Sequence, residues 1–212
     1  MSEKGLRMKK LYSLVFAIVL LSVLLASFSS CSTEPPELDT VKEEYIKLIE
    51  ASSEVNEILF GKGLPVYERD GSEEDKQVYV DMVSALDEYE SVRMDCKYLT
   101  IDSIKAAADD VYTSEYLETV YEMMFVGYAD EVSGVTSAKF LEWDGWLYQN
   151  MNYEAYIEGK RTFNYDSMEI VKPSDGEYVN IKIESELDGE KLTITLAFSL
   201  TENGWRLDTP TY

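Results

Sequence analysis

The last third of the chain alternates apolar and polar residues with a period of two. Between residues 191 and 200, leucine, isoleucine or phenylalanine occupies every second position, with threonine, alanine or serine between them. Residues 179–183 repeat the alternation with valine and isoleucine. Successive side chains of a strand point to opposite faces, so each run predicts a strand with one apolar face, which we expect the upstream helices to cover.

Turn signals between the apolar runs predict an antiparallel sheet. An Asp-Gly pair at 188–189 separates the two strands, and an Asn-Gly pair at 203–204 precedes a further short strand, residues 205–208. Residues 162–171 predict another strand, which is followed by a Pro-Ser-Asp-Gly turn. Such pairs suit the positive φ angles of tight hairpins. The sequence therefore predicts four strands that pair in consecutive order.

The first helical run starts at Thr40 and extends for about 18 residues, because its apolar residues recur every three or four positions. A glycine at 61 and a proline at 65 end this run. Residues 77–90 suit either a helix or a strand, and we favour two short pieces there. The predicted face of the first helix consists of Val41, Tyr45, Leu48, Ser52, Val55 and Leu59.

Two shorter runs, residues 103–112 and 114–127, have apolar stripes and polar residues at their starts, so they predict a helical pair. A linker rich in glycine, serine and threonine is predicted for residues 129–137. Residues 140–148 then predict a hairpin about an Asp-Gly turn.

The aromatic side chains of this hairpin are the candidate ligand-binding residues. Trp143 and Trp146 flank the turn, and Tyr148 follows them. Exposed aromatic faces bury a large area against a sugar or peptide ligand at little entropic cost. The alternative, which the residue pattern favours, is that these rings cover the open mouth of the sheet.

The N-terminus has the pattern of an export signal. Two lysines at 9–10 precede an apolar run at 11–26, and small residues lead to Cys31. The sequence Phe28-Ser29-Ser30-Cys31 resembles a bacterial lipobox, although phenylalanine replaces the usual leucine. The resemblance implies acylation of Cys31 and a membrane anchor with at least two acyl chains. We therefore expect a lipoprotein signal peptide at 1–30, a tether at 31–39 and one domain at 40–212.

The charge of the chain disfavours nucleic acid as a partner. Its net charge is −22, with 41 acidic and 19 basic residues. Cleavage after residue 30 removes four basic residues and one acidic residue, which leaves 15 basic and 40 acidic residues. Binding to phosphate backbones rests on Lys and Arg. Cys96 is the cysteine left besides Cys31, and the alternation at 92–98 predicts a buried thiol that forms no internal disulfide.

Composition also narrows the chemistry. The chain has no histidine, which removes Ser-His and Cys-His nucleophiles and the commonest zinc ligand. We expect no metal or other cofactor and no catalytic residue. Carboxylate and tyrosine pairs remain as acid–base candidates, namely Asp109 or Asp110 with Tyr112, and Glu142 with Tyr148. Pairs of this kind arise by chance in a chain with 16 tyrosines, so we expect a protein that is not an enzyme.

The order of elements resembles the α+β cone of nuclear transport factor 2-like domains. There, an N-terminal helix and a helical pair pack on a curved antiparallel sheet and leave a pocket between them. Residues 57–65, 110–117 and 203–212 are also similar to uncharacterised lipoproteins of clostridia-like Gram-positive bacteria. The layout is distantly similar to secreted inhibitors of cell-wall DL-endopeptidases, with no shared functional motif.

These observations predict a protein at the extracytoplasmic face of the cell membrane, held by its N-terminal lipid. The favoured function is a binding or accessory module for a small ligand or a cell-envelope protein. One alternative is an inhibitor of a wall hydrolase, whose acidic surface enters a basic groove. The other is an isomerase- or dehydratase-like enzyme, which requires a buried carboxylate of raised pKa facing a closed pocket.

Overall fold

The computed structural model describes residues 34–68, 71–72, 88–127, 138–155, 157 and 159–212. Residues 35–212 belong to one compact unit, and of the preceding unit only Glu34 is described. The helices and strands in chain order are α1 (Leu38–Leu59), β1 (Tyr89–Ser91), α2 (Ile101–Asp109), α3 (Ser114–Tyr121) continuing as a π-helical turn (Glu122–Val126), β2 (Phe140–Trp143), β3 (Trp146–Asn150), β4 (Thr162–Val171), β5 (Tyr178–Leu187), β6 (Glu190–Thr201) and β7 (Gly204–Leu207).

Helix α1 confirms the predicted helical period, and all six residues of its predicted face are buried. It begins two residues before Thr40, because Leu38 extends the same apolar face by one turn and packs against the core. Beyond its end, Gly61 donates its amide hydrogen to the Asn56 carbonyl. None of the described helices combines the length and apolarity that a bilayer crossing requires.

The four-stranded antiparallel sheet is confirmed, with strand order β4-β5-β6-β7. Tyr45 of α1 stacks on Phe198 of β6, with ring centroids 4.0 Å apart, and contacts Trp205 of β7 edge-on at 5.4 Å. The predicted apolar face of β6 is covered only in its middle, however. Leu192 and Leu200 are 46% and 45% exposed. The inner face of β6 is therefore buried at Leu196 and Phe198 and exposed toward both ends of the strand.

The predicted hairpin is also confirmed, and it belongs to a second antiparallel sheet with strand order β1-β3-β2. Asp144 and Gly145 both take positive φ at its turn. Strand β1 forms from the last residues of the stretch 77–90 that the sequence left ambiguous. The rest of that stretch, residues 77–87, and the predicted linker 129–137 lie outside the described residues.

The helical pair exists, but its first helix begins at Ile101, two residues earlier than predicted, because Thr100 supplies a capping box. This pair contacts the three-stranded sheet. The Ile101 amide donates to Glu142 at 2.6 Å, and the rings of Phe125 and Phe140 lie 6.2 Å apart. The segment between α2 and α3 reaches β7 through the Leu207 amide and the Val111 carbonyl, 2.8 Å apart. The fold is α+β with two open sheets.

Candidate functional site

The candidate aromatic residues of the hairpin share one face of β2 and β3, since Trp143 pairs with Trp146 and Leu141 pairs with Tyr148. Trp143 is 46% exposed, Trp146 is half-buried, and Tyr148 is 4% exposed. The rings of Trp143 and Tyr148 lie 6.4 Å apart. Tyr148 therefore has little surface for a ligand, and the face presents two tryptophans. Ligand binding at this hairpin stays a prediction.

The two cysteines have different outcomes. Cys31, the predicted acylation site, lies outside the described residues. Cys96 is half-buried, which corrects the predicted buried thiol. The alternation at 92–98 does not form a strand, because residues 94–97 form a turn in which Met94 is 60% exposed. Cys96 packs against the core and lines the cleft described next.

A cleft of about 730 Å³ lies between the C-terminal half of α1 and the end of the four-stranded sheet. Residues 63–65, 96–98, 157 and 159–161 and the C-terminal tail complete its walls. The lining includes the apolar or aromatic residues Ile49, Ile58, Leu64, Pro65, Tyr98, Ile157, Phe163, Leu187 and Tyr212. The remaining lining is polar and charged, so the cleft is amphipathic.

A chain of buried hydrogen bonds fixes the tail against α1 at this cleft. Ser52 donates to the Ile49 carbonyl at 2.6 Å, and its Oγ lies 2.6 Å from the Thr211 hydroxyl. A hydroxyl has one proton to donate, so Thr211 is the donor in that pair. Asn56 donates to Thr211 at 2.8 Å, and Tyr112 donates to Asn56 at 2.8 Å. Each of these four side chains thereby has a hydrogen-bond partner, and the tail wall is held in one position.

The wall formed by the sheet end is cationic. Lys160 is exposed, and Arg161 is half-buried. The Arg161 Nη1 donates to the hydroxyl of Ser185 at 2.9 Å, and Ser185 is itself 4% exposed. The Nε of Arg161 is buried and has no hydrogen-bond partner among the described residues. Among those residues, neither Lys160 nor Arg161 has a carboxylate within salt-bridge distance.

The wall formed by α1 is acidic. Glu50, Glu54 and Glu57 line it, and all three are exposed. Glu54 is paired with Lys97, whose Nζ lies 3.0 Å from Oε1. The Lys97 ammonium also lies 4.7 Å from the centre of the Tyr98 ring, and the hydrogen bonds to Tyr98 and Glu54 raise its pKa. The cation on this side of the cleft is therefore already neutralised.

A buried lysine and a buried glutamine join the three-stranded sheet to the turn after α1. Lys139 is 1% exposed, and its Nζ donates to the carbonyls of Leu59 at 3.1 Å and Gly61 at 2.7 Å. Burial lowers the pKa of Lys139 to about 8, and the charge of Glu57 partly opposes this shift. These bonds satisfy carbonyls that the helix end leaves free.

Gln149 makes a similar pair of bonds to this turn. It accepts from the Leu64 amide at 2.7 Å and donates to the Lys62 carbonyl at 2.9 Å. Gly63 lies between them at φ +89°, and a Cβ there would collide with the Gln149 amide. Since Gly63 and Leu64 line the cleft, this contact also positions one of its walls.

The acid–base pairs considered from the sequence are partnered elsewhere. Asp109 accepts from the Tyr121 hydroxyl at 2.7 Å, and Glu142 accepts from the first amide of α2. Tyr112 donates to Asn56, and burial raises its pKa to about 12. Asp110 lies 3.9 Å from Arg206, which also donates to backbone carbonyls. The described residues contain no cluster of three metal-ligating His, Cys, Asp or Glu side chains.

Comparison with known protein families finds no matching family model, and no curated protein matches the chain. Sequence reasoning did not find Arg161 and Thr211 of the cleft, or the buried Lys139 that contacts the turn after α1. Arg161 precedes a strand, Thr211 lies in the tail, and Lys139 lies beside the predicted linker, so no hydrophobic period predicts their burial. One local feature of the sequence could have pointed to the cleft: Lys160 and Arg161 are adjacent cations in an acidic chain.

Proposed function

We propose that this protein is a membrane-tethered extracytoplasmic lipoprotein whose domain binds a small ligand in the cleft without transforming it. The cleft between α1 and the sheet end carries the proposal. Its volume of about 730 Å³ matches the sizes of ligand pockets in proteins, which are about 300–1,000 Å³. Apolar rings and a few fixed polar groups line it, and that mixture supports oriented binding.

The proposal includes a nuclear transport factor 2-like fold for the domain. In support of it, a long N-terminal helix lies on a four-stranded antiparallel sheet through the contact of Tyr45 with Phe198. The inner face of β6 is exposed toward both ends of the strand, and the cleft lies at one end of the sheet. A second, three-stranded sheet contacts the helical pair through the hydrogen bond from the Ile101 amide to Glu142.

Binding is preferred to catalysis because the carboxylates at the cleft are exposed. Glu50, Glu54 and Glu57 are in contact with solvent, and Glu54 is already paired with Lys97. A catalytic acid or base requires a pKa near the working pH, which burial or a like charge normally provides. The cleft is also open, whereas acid–base chemistry on a small substrate benefits from the exclusion of water.

The lipid anchor is tested separately from the cleft, with the two cysteines as a matched pair. We expect Cys31→Ala to abolish incorporation of labelled palmitate and to remove the protein from the membrane fraction, because the acyl chains supply the anchoring. Cys96→Ala is the control and retains both properties. Palmitate incorporation by the Cys31→Ala chain would contradict the anchor.

Ligand binding is tested with the full chain purified in detergent, in a thermal-shift screen of soluble cell-envelope fragments. Two tryptophan substitutions on α1 serve as a matched pair. Ser53 lines the cleft and Ala51 does not, and both residues are exposed. We expect Ser53→Trp to block the ligand-induced rise in melting temperature and Ala51→Trp to preserve it. A screen without a saturable shift, or equal effects of both variants, would refute the cleft as the binding site.

A further inference from the structure

The cationic wall of the cleft carries two neighbouring cations, Lys160 and Arg161, in a chain that has 41 acidic residues and a net charge of −22. Five cations in the described part of the protein pair with a carboxylate, namely Lys42, Arg93, Lys97, Lys182 and Arg206. The other described cations, Lys160 and Arg161 among them, have no carboxylate within salt-bridge distance among the described residues. Lys160 and Arg161 are adjacent in the chain and both line the cleft, so they place two positive charges side by side on one wall.

Arg161 is also positioned for recognition. The hydroxyl of the buried Ser185 holds its Nη1, so the guanidinium is fixed without being neutralised. Its Nε is a buried donor that lacks a partner among the described residues. An unsatisfied buried donor is costly, so the Nε of Arg161 gains from any acceptor that reaches it, whether a water, an ion or a ligand group. Guanidinium groups bind carboxylates through two parallel hydrogen bonds.

An apolar surface adjoins this cation. Phe163 lies opposite Ser185 in the strand register, and Ser185 lies opposite Leu192, so the three share the inner face of the sheet. Phe163 is half-buried and Leu192 is 46% exposed. A second concavity of about 560 Å³ includes all three and meets the cleft at Phe163. A ligand held at Arg161 can therefore lay an apolar body along the uncovered end of the sheet.

The opposite wall limits the charge of the ligand. Glu50 and Glu57 are exposed there, while Glu54 is neutralised by Lys97. At physiological ionic strength, charge interactions in water decay over about 8 Å, so the cations nearest the acid group dominate its binding. A second negative charge on the ligand would be repelled by these glutamates and would have no cation to pair with. The cleft therefore favours one negative charge over two.

We infer that the ligand of the cleft is a small amphipathic monoacid, whose carboxylate pairs with Arg161 beside Lys160 and whose apolar body lies on Phe163 and Leu192. This inference rests on the proposed function and deepens it by naming the ligand class. Arg161 is the residue that selects the acid, and Ser185 is its positioning residue.

Three soluble probes with one phenylpropyl body test the inference, namely 3-phenylpropionate, 3-phenylpropanol and 3-phenylpropyl phosphate. Each is titrated into the isotopically labelled full chain in detergent, and the NMR shifts of the cleft amides and of the Arg161 Nε–H are followed. We expect the carboxylate to bind at least about tenfold more tightly than the alcohol, as hydrogen bonds to charged groups allow, and to move the Nε–H signal. The dianionic phosphate is expected to bind more weakly than the carboxylate.

Charge-matched variants identify the residue responsible. Arg161→Gln should remove the preference for the acid. Lys182→Gln also removes one positive charge, from the polar face of β5, but should preserve that preference, since Lys182 is exposed and points away from Ser185. Ser185→Ala is a second variant in case Arg161→Gln does not fold. Ser185→Ala should weaken the binding of the carboxylate probe and leave the binding of the alcohol probe unchanged.

The outcomes separate the two claims. Equal binding of acid and alcohol in the cleft overturns the monoacid inference and leaves the binding function in place. Tighter binding of the phosphate overturns the preference for a single charge. If none of the probes shifts the cleft amides, the inference is overturned, and the fragment screen with Ser53→Trp decides the binding function by itself.

Discussion

Helix α1 is attached to two sheets, and the two attachments differ in kind. Toward the four-stranded sheet, the contact is aromatic, with Tyr45 stacked on Phe198 and edge-on to Trp205. At the C-terminal end of α1, the three-stranded sheet is attached by hydrogen bonds: Lys139 donates to two backbone carbonyls, and Gln149 accepts from one backbone amide and donates to one carbonyl.

This difference explains how the walls of the cleft are held in position. Apolar contacts contribute most of the stability, since burial is non-directional and scales with area. Hydrogen bonds to backbone groups contribute less on average, but they fix position, because their geometry is narrow. Gly63 and Leu64, which line the cleft, are held by the polar attachment. The aromatic attachment therefore supports the fold, and the polar attachment supports the shape of the site.

The largest expected effect comes from the aromatic attachment. Phe198→Ala removes a fully buried ring that stacks on Tyr45 and should lower the free energy of unfolding by about 3–5 kcal/mol. Leu192→Ala, in the same strand, is the control and should cost less than about 1 kcal/mol, because its side chain is 46% exposed. Urea denaturation of the full chain measures both. Equal losses would contradict the incomplete cover of β6.

The next effect is a pH dependence of the polar attachment. The folded pKa of Lys139 is about 8, below its value in the unfolded chain. Between pH 8 and 10 the unfolded state therefore binds more protons, and the free energy of unfolding should rise by roughly 2–3 kcal/mol over this window. Above pH 10 the buried tyrosines oppose this trend, since the pKa of Tyr112, for example, is raised to about 12 by burial.

The control for this pH dependence is a pair of Lys→Met variants. Lys139→Met should flatten the rise in stability between pH 8 and 10, whereas the exposed Lys182→Met should retain it. Urea denaturation at several pH values gives the comparison. A rise that survives in Lys139→Met would assign the titration to other groups.

A smaller loss is expected at Gln149. Gln149→Met keeps the volume of the side chain but leaves the buried Leu64 amide without its acceptor, at a cost of about 1–3 kcal/mol. The exposed Asn152→Met should change stability by no more than about 0.5 kcal/mol. Chemical shifts of the amides at 63–65 should move in the first variant only. Unchanged chemical shifts at these amides would show that Gln149 does not fix the shape of the cleft.

The smallest expected effect distinguishes the hairpin from the cleft as a ligand site. Trp143 is 46% exposed, so Trp143→Ala should cost less than about 1 kcal/mol of stability and leave ligand binding at the cleft unchanged. The fragment screen and the carboxylate titration, repeated with this variant, measure both properties. A loss of ligand binding with retained stability would favour the aromatic hairpin that the sequence predicts as a site.

The sequence alone determined the elements whose patterns are local. The alternation in β5, the Asp-Gly turns and the helical period of α1 identify themselves within ten or twenty residues, and the structure confirms them. The same local patterns overestimated the cover of β6, because a strand pattern states which face is apolar but not how far a helix extends over it.

Only the tertiary structure decided the site. Arg161 and Ser185 lie 24 residues apart, and Ser52 and Thr211 lie 159 residues apart, yet each pair is in hydrogen-bond contact. Lys139 is buried because two carbonyls at the end of α1 accept hydrogen bonds from its ammonium group. Nothing in the sequence around Lys139 indicates these contacts. Hydrophobic periodicity reports the direction of neighbouring side chains, whereas convergence of distant polar groups depends on how the finished elements pack.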